Sequence, residues 1–135
     1  MKKLNLILVL NKEETKILMC KREKEPYKGQ YNLVGGKVEE KEDELDAAYR
    51  ELQEETGITN KDILLTNIMN FQYKVLDKEL EIYMGKLNKD VELIEEVNKL
   101  YWIGKNLNFF DINKFAGEGI IGHIVEQIKT YNFNM

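Results

Sequence analysis

The sequence predicts a mixed α/β domain. Short apolar runs of strand length recur along the chain, the apolar period turns helical between residues 43 and 56, and a second helical stripe runs through residues 120–128. The 135 residues include a single proline and suit one domain spanning 1–135.

Each element follows in order. LNLILVL (4–10) is apolar, partly β-branched and of strand length. NKEET is a polar turn, so KILMCKR (16–22) is expected to return as the second strand of a hairpin. REKEPYKGQ (22–30), with Pro26 and Gly29, reads as a loop. YNLV leads into Gly35 and Gly36. Leu45, Ala48, Tyr49 and Leu52 then recur at i, i+3, i+4 and i+7, with Asp43 as N-cap and Gly57 closing the helix. ILLTNIMNFQYKV (63–75) and ELEIYMGKL (79–87) read as strands joined at residues 76–78, and LYWIG as a short strand with Trp102 in the core. FAGEGIIGHIVEQIKTY (115–131) holds the last helix, whose stripe is Ile120, Ile121, Ile124, Val125 and Ile128. His123, the only histidine, reads as a structural residue of that helix.

Composition excludes several function classes. With 43% hydrophobic and 33% charged residues the chain is an ordinary globule. A net charge of −4 argues against a DNA-binding surface, and phosphates would reach such a protein through a metal. The single cysteine, Cys20, forbids an intrachain disulfide and reads as core. The N-terminus imitates a secretory signal, but Asn5 interrupts the apolar run and a charged segment follows. No segment approaches the ~20 apolar residues of a membrane span, so a cytoplasmic location is expected.

The chemistry concentrates in GGKVEEKEDELDAAYRELQEETGI (35–58). Glu51, Glu54 and Glu55 stand at i, i+3 and i+4, on one helical face over roughly 6 Å. Like charges at that spacing repel. Such a face is either simply solvated or a holder of a hard divalent cation, which takes oxygen ligands. Gly35 and Gly36 allow close backbone approach, as either a turn or a phosphate site requires.

The full spacing decides between these. Gly36, five residues, Glu42, seven residues, Arg50-Glu51, Leu52, Gln53, Glu54-Glu55, Thr56, Gly57, Ile58 resembles the Nudix box, G-x5-E-x7-R-E-U-x-E-E-x-G-U, at every defined position. A chance match is on the order of 10⁻⁹ per starting position at ordinary residue usage. Membership of the Nudix (MutT-like) hydrolase family implies an α/β/α sandwich, with a mixed curved sheet between the box helix and the C-terminal helix. It also implies Mg²⁺- or Mn²⁺-dependent cleavage of a nucleoside diphosphate linked to another group, by a monomer or homodimer. Glu51, Glu54, Glu55 and the Gly35 carbonyl match metal ligands, and Glu42 and Arg50 match residues that orient the carboxylates. In physical terms, Arg50 offers a two-pronged fork to a carboxylate one turn away. The family's general base often precedes the tryptophan-bearing strand. Here Glu92, Glu95 and Glu96 stand there, and Glu96 is taken.

Substrate choice lies outside the box. YNLVGGKV is similar to WNGFGGKV of the family's oxidised-purine nucleoside triphosphatases, which places Asn32 on the residue that reads the base edge. Phe71 and Tyr73 share a strand face and match pocket aromatics there. KFAGEG resembles MWPDDS, so Phe115 matches a stacking tryptophan and Glu118 the second of two purine-reading aspartates. Gly117 replaces the first, which puts 8-oxo-guanine selectivity in question. These aromatics read equally as core. Arg22 and Lys37 are either surface cations or phosphate contacts. The resemblance implies a purine nucleoside triphosphate as substrate, oxidised forms such as 8-oxo-dGTP included. ADP-ribose, a dinucleoside polyphosphate, capped RNA, or a catalytically silent nucleotide sensor are the alternatives.

Overall fold

The computed structural model of the chain describes residues 1–130. Six strands form one sheet: β1 (Lys2–Leu10), β2 (Lys16–Lys21), β3 (Tyr31–Asn32), β4 (Thr66–Tyr73), β5 (Lys78–Lys86) and β6 (Leu100–Gly104). Two helices, α1 (Glu44–Thr56) and α2 (Ile120–Thr130), complete the fold. Tyr131, the last residue of the segment assigned to the second helix, lies outside the described residues.

The long pairings are not between sequence neighbours. β1 pairs in parallel with β5 over its whole length, from Lys2↔Lys78 to Leu10↔Lys86. β2 pairs with β6, whereas the expected β1–β2 hairpin is reduced to one register pair, Leu10↔Ile17. Beyond it the two strands splay apart, and the chain from Tyr31 to Val38 enters the fork. It pairs with β2 at Cys20↔Asn32 and bridges β1 at Ile7↔Val34 and Leu4↔Lys37. The fork thereby brings Gly35 and Gly36 into the middle of the sheet, although the sequence reads them as a loop.

Both faces of the sheet are covered, as an α/β/α sandwich requires. Alternate β1 residues face opposite ways: Ile7 and Val9 join Ala48 and Leu52 of α1, while Leu8 and Leu10 join Ile121 and Ile124 of α2. Burial on both faces explains why LNLILVL shows no polar alternation. Mutation of Leu52, fully buried at the centre of the α1 layer, to alanine is expected to cost about 2–5 kcal/mol in urea unfolding.

Two boundaries and one buried position differ from expectation. β4 starts at Thr66 because Ile63 and Leu65 turn into the core, and Ile63 makes only an isolated bridge to Leu87. The β4–β5 turn is a 3-10 turn at Lys74–Leu76 closed by Asp77 in the left-handed region. Leu45 is 41% exposed, because Ala47 shares the inward face with Ala48 and Leu52. The caps of α1 are as expected: the Asp43 carboxylate accepts from Leu45 and Asp46 N–H, and Gly57 adopts φ 81°.

Candidate active site

The inward rotation of α1 has a chemical consequence. The stripe facing the sheet carries apolar anchors at Ala48 and Leu52 and carboxylates at Glu51 and Glu55. The three box glutamates are therefore not equivalent. Glu51 is 14% exposed at its side chain, whereas Glu54 is 56% exposed on the rim. Glu55 is half-buried and accepts a hydrogen bond from the Gly35 N–H at 3.3 Å.

The glycine turn fits against these acids with no room for a side chain. A Cβ on Gly36 would lie 2.7 Å from Oε1 of Glu51 and closer still to the rest of that carboxylate. Gly35, at φ 150°, lies on Asn5, where a Cβ would meet the Asn5 backbone and approach Oδ1 at 3.0 Å. Asn5 fixes the turn twice: its N–H donates to the Gly36 carbonyl at 2.8 Å, and its Oδ1 accepts from the Gly36 N–H at 2.9 Å.

Arg50 ties the parts together. Its fork closes on Glu42, with Nε at 2.7 Å and Nη2 at 3.0 Å from the two carboxylate oxygens. Nη1 donates to Glu51 at 3.0 Å and Glu54 at 3.2 Å, and Nη2 to the Lys37 carbonyl at 2.9 Å. The two-pronged contact thus goes to the loop residue Glu42, not to a carboxylate one helical turn away. Only the single-donor contacts run along α1. The guanidinium holds Glu42 below the usual carboxylate range and is itself raised by its acidic partners.

Burial pushes the Glu55 carboxyl up to about 7, with the Glu51 and Glu54 charges adding to it and the Gly35 N–H and Arg22 opposing. Between about pH 4.5 and 7 the folded chain therefore binds more protons than the unfolded one, so this group lowers stability as pH rises through that window. Metal-free wild type is expected to lose ~1–3 kcal/mol relative to Glu55→Gln across it, measured by urea unfolding.

Among the described residues, no three acidic, histidine or cysteine side chains already close around one point. Arg50 and Gly35 hold the glutamates in separate contacts. The donor chemistry still fits a hard divalent cation: the set is carboxylate oxygen, and Glu55 is short of positive charge.

A cavity of about 410 Å³ opens from Gly35, Gly36 and Glu55. Arg22, Asn32, Tyr73 and Glu118 also line it, as do Tyr27, Lys78 and Asn98, which sequence reasoning missed. The Tyr27 hydroxyl donates to Glu118 at 3.3 Å, a contact across 91 residues with no local signal. Cys20 is buried and also borders the cavity.

Other expected site residues lie elsewhere. Phe115 is 1% exposed and packs in the core against Phe109 and Tyr31, so its ring offers no face for stacking. Phe71 lines a different hollow, with Ile68, Met69 and His123. The i, i+2 rule put it on the Tyr73 face, but Tyr73 ends its strand where the cavity opens. Lys37 is exposed outside the cavity and contributes its carbonyl to Arg50. Glu96 is exposed and does not line the cavity, Glu95 accepts from the Leu100 N–H at 2.7 Å, and Asn98 lies on the cavity wall. His123 is exposed and meets the Phe110 ring edge-on at 5.3 Å.

A glycine turn is wedged into a forked mixed sheet and faces a carboxylate helix clamped by one arginine. The chain belongs to the Nudix family: the NUDIX domain model matches residues 1–111. It is 32% identical over 101 residues to an ADP-ribose pyrophosphatase of Methanocaldococcus jannaschii, covering 75% of this chain and 57% of that protein's length. Its fold is similar to a C. elegans Ap4A hydrolase in a binary complex, with TM-score 0.74, 19% identity and coverage of 93% and 95% of the two chains. A MutT structure from work on Aliivibrio salmonicida and Vibrio cholerae gives TM-score 0.67 at 22% identity, covering 94% and 95%. No helix among the described residues is long and apolar enough to cross a membrane.

Proposed function

We propose that the chain is a metal-dependent pyrophosphohydrolase that converts a purine nucleoside triphosphate to the monophosphate and pyrophosphate. The observation that carries this reading is the continuity of one cavity from the acidic helix to Asn32, Tyr73 and Glu118. An aromatic face with amide and carboxylate edges can stack on a base and read its hydrogen-bonding groups.

Glu51, Glu54, Glu55 and the Gly35 carbonyl would hold Mg²⁺ or Mn²⁺. When bound, the cation neutralises phosphate charge and lowers the pKa of a coordinated water. Arg50 keeps Glu51 and Glu54 oriented and holds the loop at Glu42 and Lys37 in register with α1. Arg22 and Lys78 supply positive charge on the cavity wall. The side chains of Phe115, Phe71, Lys37 and Glu96 carry no part of this reading.

A second reading, hydrolysis of ADP-ribose, is favoured by the relative from Methanocaldococcus jannaschii. Incubation with Mg²⁺ and a panel of canonical and oxidised nucleoside triphosphates, ADP-ribose and dinucleoside polyphosphates separates the two. A purine triphosphate is expected to be turned over with the highest kcat/KM, and EDTA to abolish turnover. ADP-ribose ahead of every triphosphate replaces the first reading with the second. Tight nucleotide binding without turnover of anything removes both.

A further inference from the structure

The sheet face beneath α1 is apolar at Ile7, Val9 and Leu18, yet two polar side chains interrupt it. Asn5 on β1 and Glu81 on β5 are each 1% exposed. They are register partners in the parallel β1–β5 pair, so the two lie side by side. Each leaves one buried atom without a partner among the described residues: the donor Nδ2 of Asn5 and the acceptor Oε1 of Glu81. A buried donor beside a buried acceptor is satisfied by pairing them, directly or through one water.

We propose that Asn5 and Glu81 are positioning residues, forming a buried polar bracket that ties the Gly35 and Gly36 turn to the first turn of α1. The bracket has a direction. Glu81 faces Glu44, the first residue of α1, closely enough for the two carboxyl groups to interact. Two carboxyl groups bond to each other only by sharing a proton. Lys3 pairs with Glu44, which makes Glu44 the ionised member and Glu81 the proton carrier. A protonated Glu81 donates its O–H to Glu44 and leaves its carbonyl oxygen to accept from Nδ2 of Asn5. That contact fixes the Asn5 amide so that Oδ1 faces the Gly36 N–H, which it binds at 2.9 Å.

The surroundings agree with this assignment. Burial and Glu44 push Glu81 up to about 8. The charged or titratable groups around it are Lys3 on β1, Glu79 and Tyr83 on β5, and Glu44 and Asp43 at the start of α1. Gly36 in turn lies against Glu51, and Gly35 against Glu55. The bracket therefore sets the separation between the glycine turn and the carboxylate helix from β1, whose Asn5 also borders the cavity.

The link to turnover rests on the proposed hydrolase activity, so the test has a readout that does not. Amide exchange at Gly35 and Gly36, followed by NMR, is compared in wild type, Glu81→Gln and Glu81→Leu at neutral pH. Glutamine mimics the protonated acid, donating to Glu44 and accepting from Asn5. Glu81→Gln is expected to keep Gly36 protection within about threefold of wild type. Glu81→Leu is expected to lower it by about tenfold or more, while the Leu8 and Met84 amides are unchanged. In turnover, Glu81→Leu is expected to lower kcat by about tenfold with KM within about twofold, and Glu81→Gln to retain kcat.

Unchanged Gly36 protection in Glu81→Leu overturns the proposal. So does equal loss in both variants, or lost protection with unchanged kcat. Should Glu81→Leu not fold, Glu81→Asp, one methylene too short to reach both partners, takes its place with the same expectation. If wild type hydrolyses nothing, the hydrolase reading fails while the exchange comparison still decides the bracket.

Discussion

Glu54→Gln is expected to lower kcat by about 100-fold or more at saturating Mg²⁺ and to leave the urea midpoint nearly unchanged. The split follows from position. Glu54 stands on the rim of α1 with its side chain 56% exposed, where it accepts from Arg50 Nη1 at 3.2 Å. An exposed i, i+4 ion pair contributes only ~0.3–0.5 kcal/mol to stability. Glutamine keeps the shape and removes the charge, so a residue of marginal structural value becomes decisive only if it faces a cation. A coupled measurement is metal affinity by calorimetry, expected to weaken in the same variant. Undiminished turnover would remove Glu54 from the set of cation ligands.

Arg50→Ala gives the second large effect, of a different kind. Here both kcat and stability fall, because one guanidinium holds Glu42, Glu51, Glu54 and the Lys37 carbonyl together. Its loss leaves three carboxylates without their cation and frees the loop from the helix. We expect kcat to drop by about 100-fold and the urea midpoint to fall. Arg50→Lys separates charge from geometry. Lysine restores one positive charge, but its ammonium cannot make the two-pronged contact to Glu42 while also reaching Glu51 and Lys37. It is expected to recover much of the midpoint and little of kcat. Full recovery of kcat by lysine would show that Arg50 acts by charge alone.

Where sequence reasoning failed, it failed at contacts between distant segments. Phe115 reads from the sequence as either a pocket aromatic or core, and only its packing against Tyr31 and Phe109 favours the core. Tyr27 lines the cavity because its hydroxyl reaches Glu118. Glu81 is an acid within a strand, and only the packing of the sheet face beneath α1 buries it to 1% exposure. The β1–β2 hairpin was expected from a short polar turn, and the turn is there; the wedge that splits it comes from Tyr31 to Val38, outside the hairpin.

The sequence by itself determined the helix, its caps and the order of its acids. These depend on residues within two or three turns of one another, where spacing translates directly into position. Family membership followed from the same short-range pattern. The tertiary structure alone decided which acids face inward, which carboxylate receives the arginine fork, and which side chains share a cavity. Those outcomes turn on the rotation of α1 against the sheet and on β1 pairing along its length with β5 while it meets β2 at one register pair. Both are set by burial summed over the whole chain, which no single stretch of residues records.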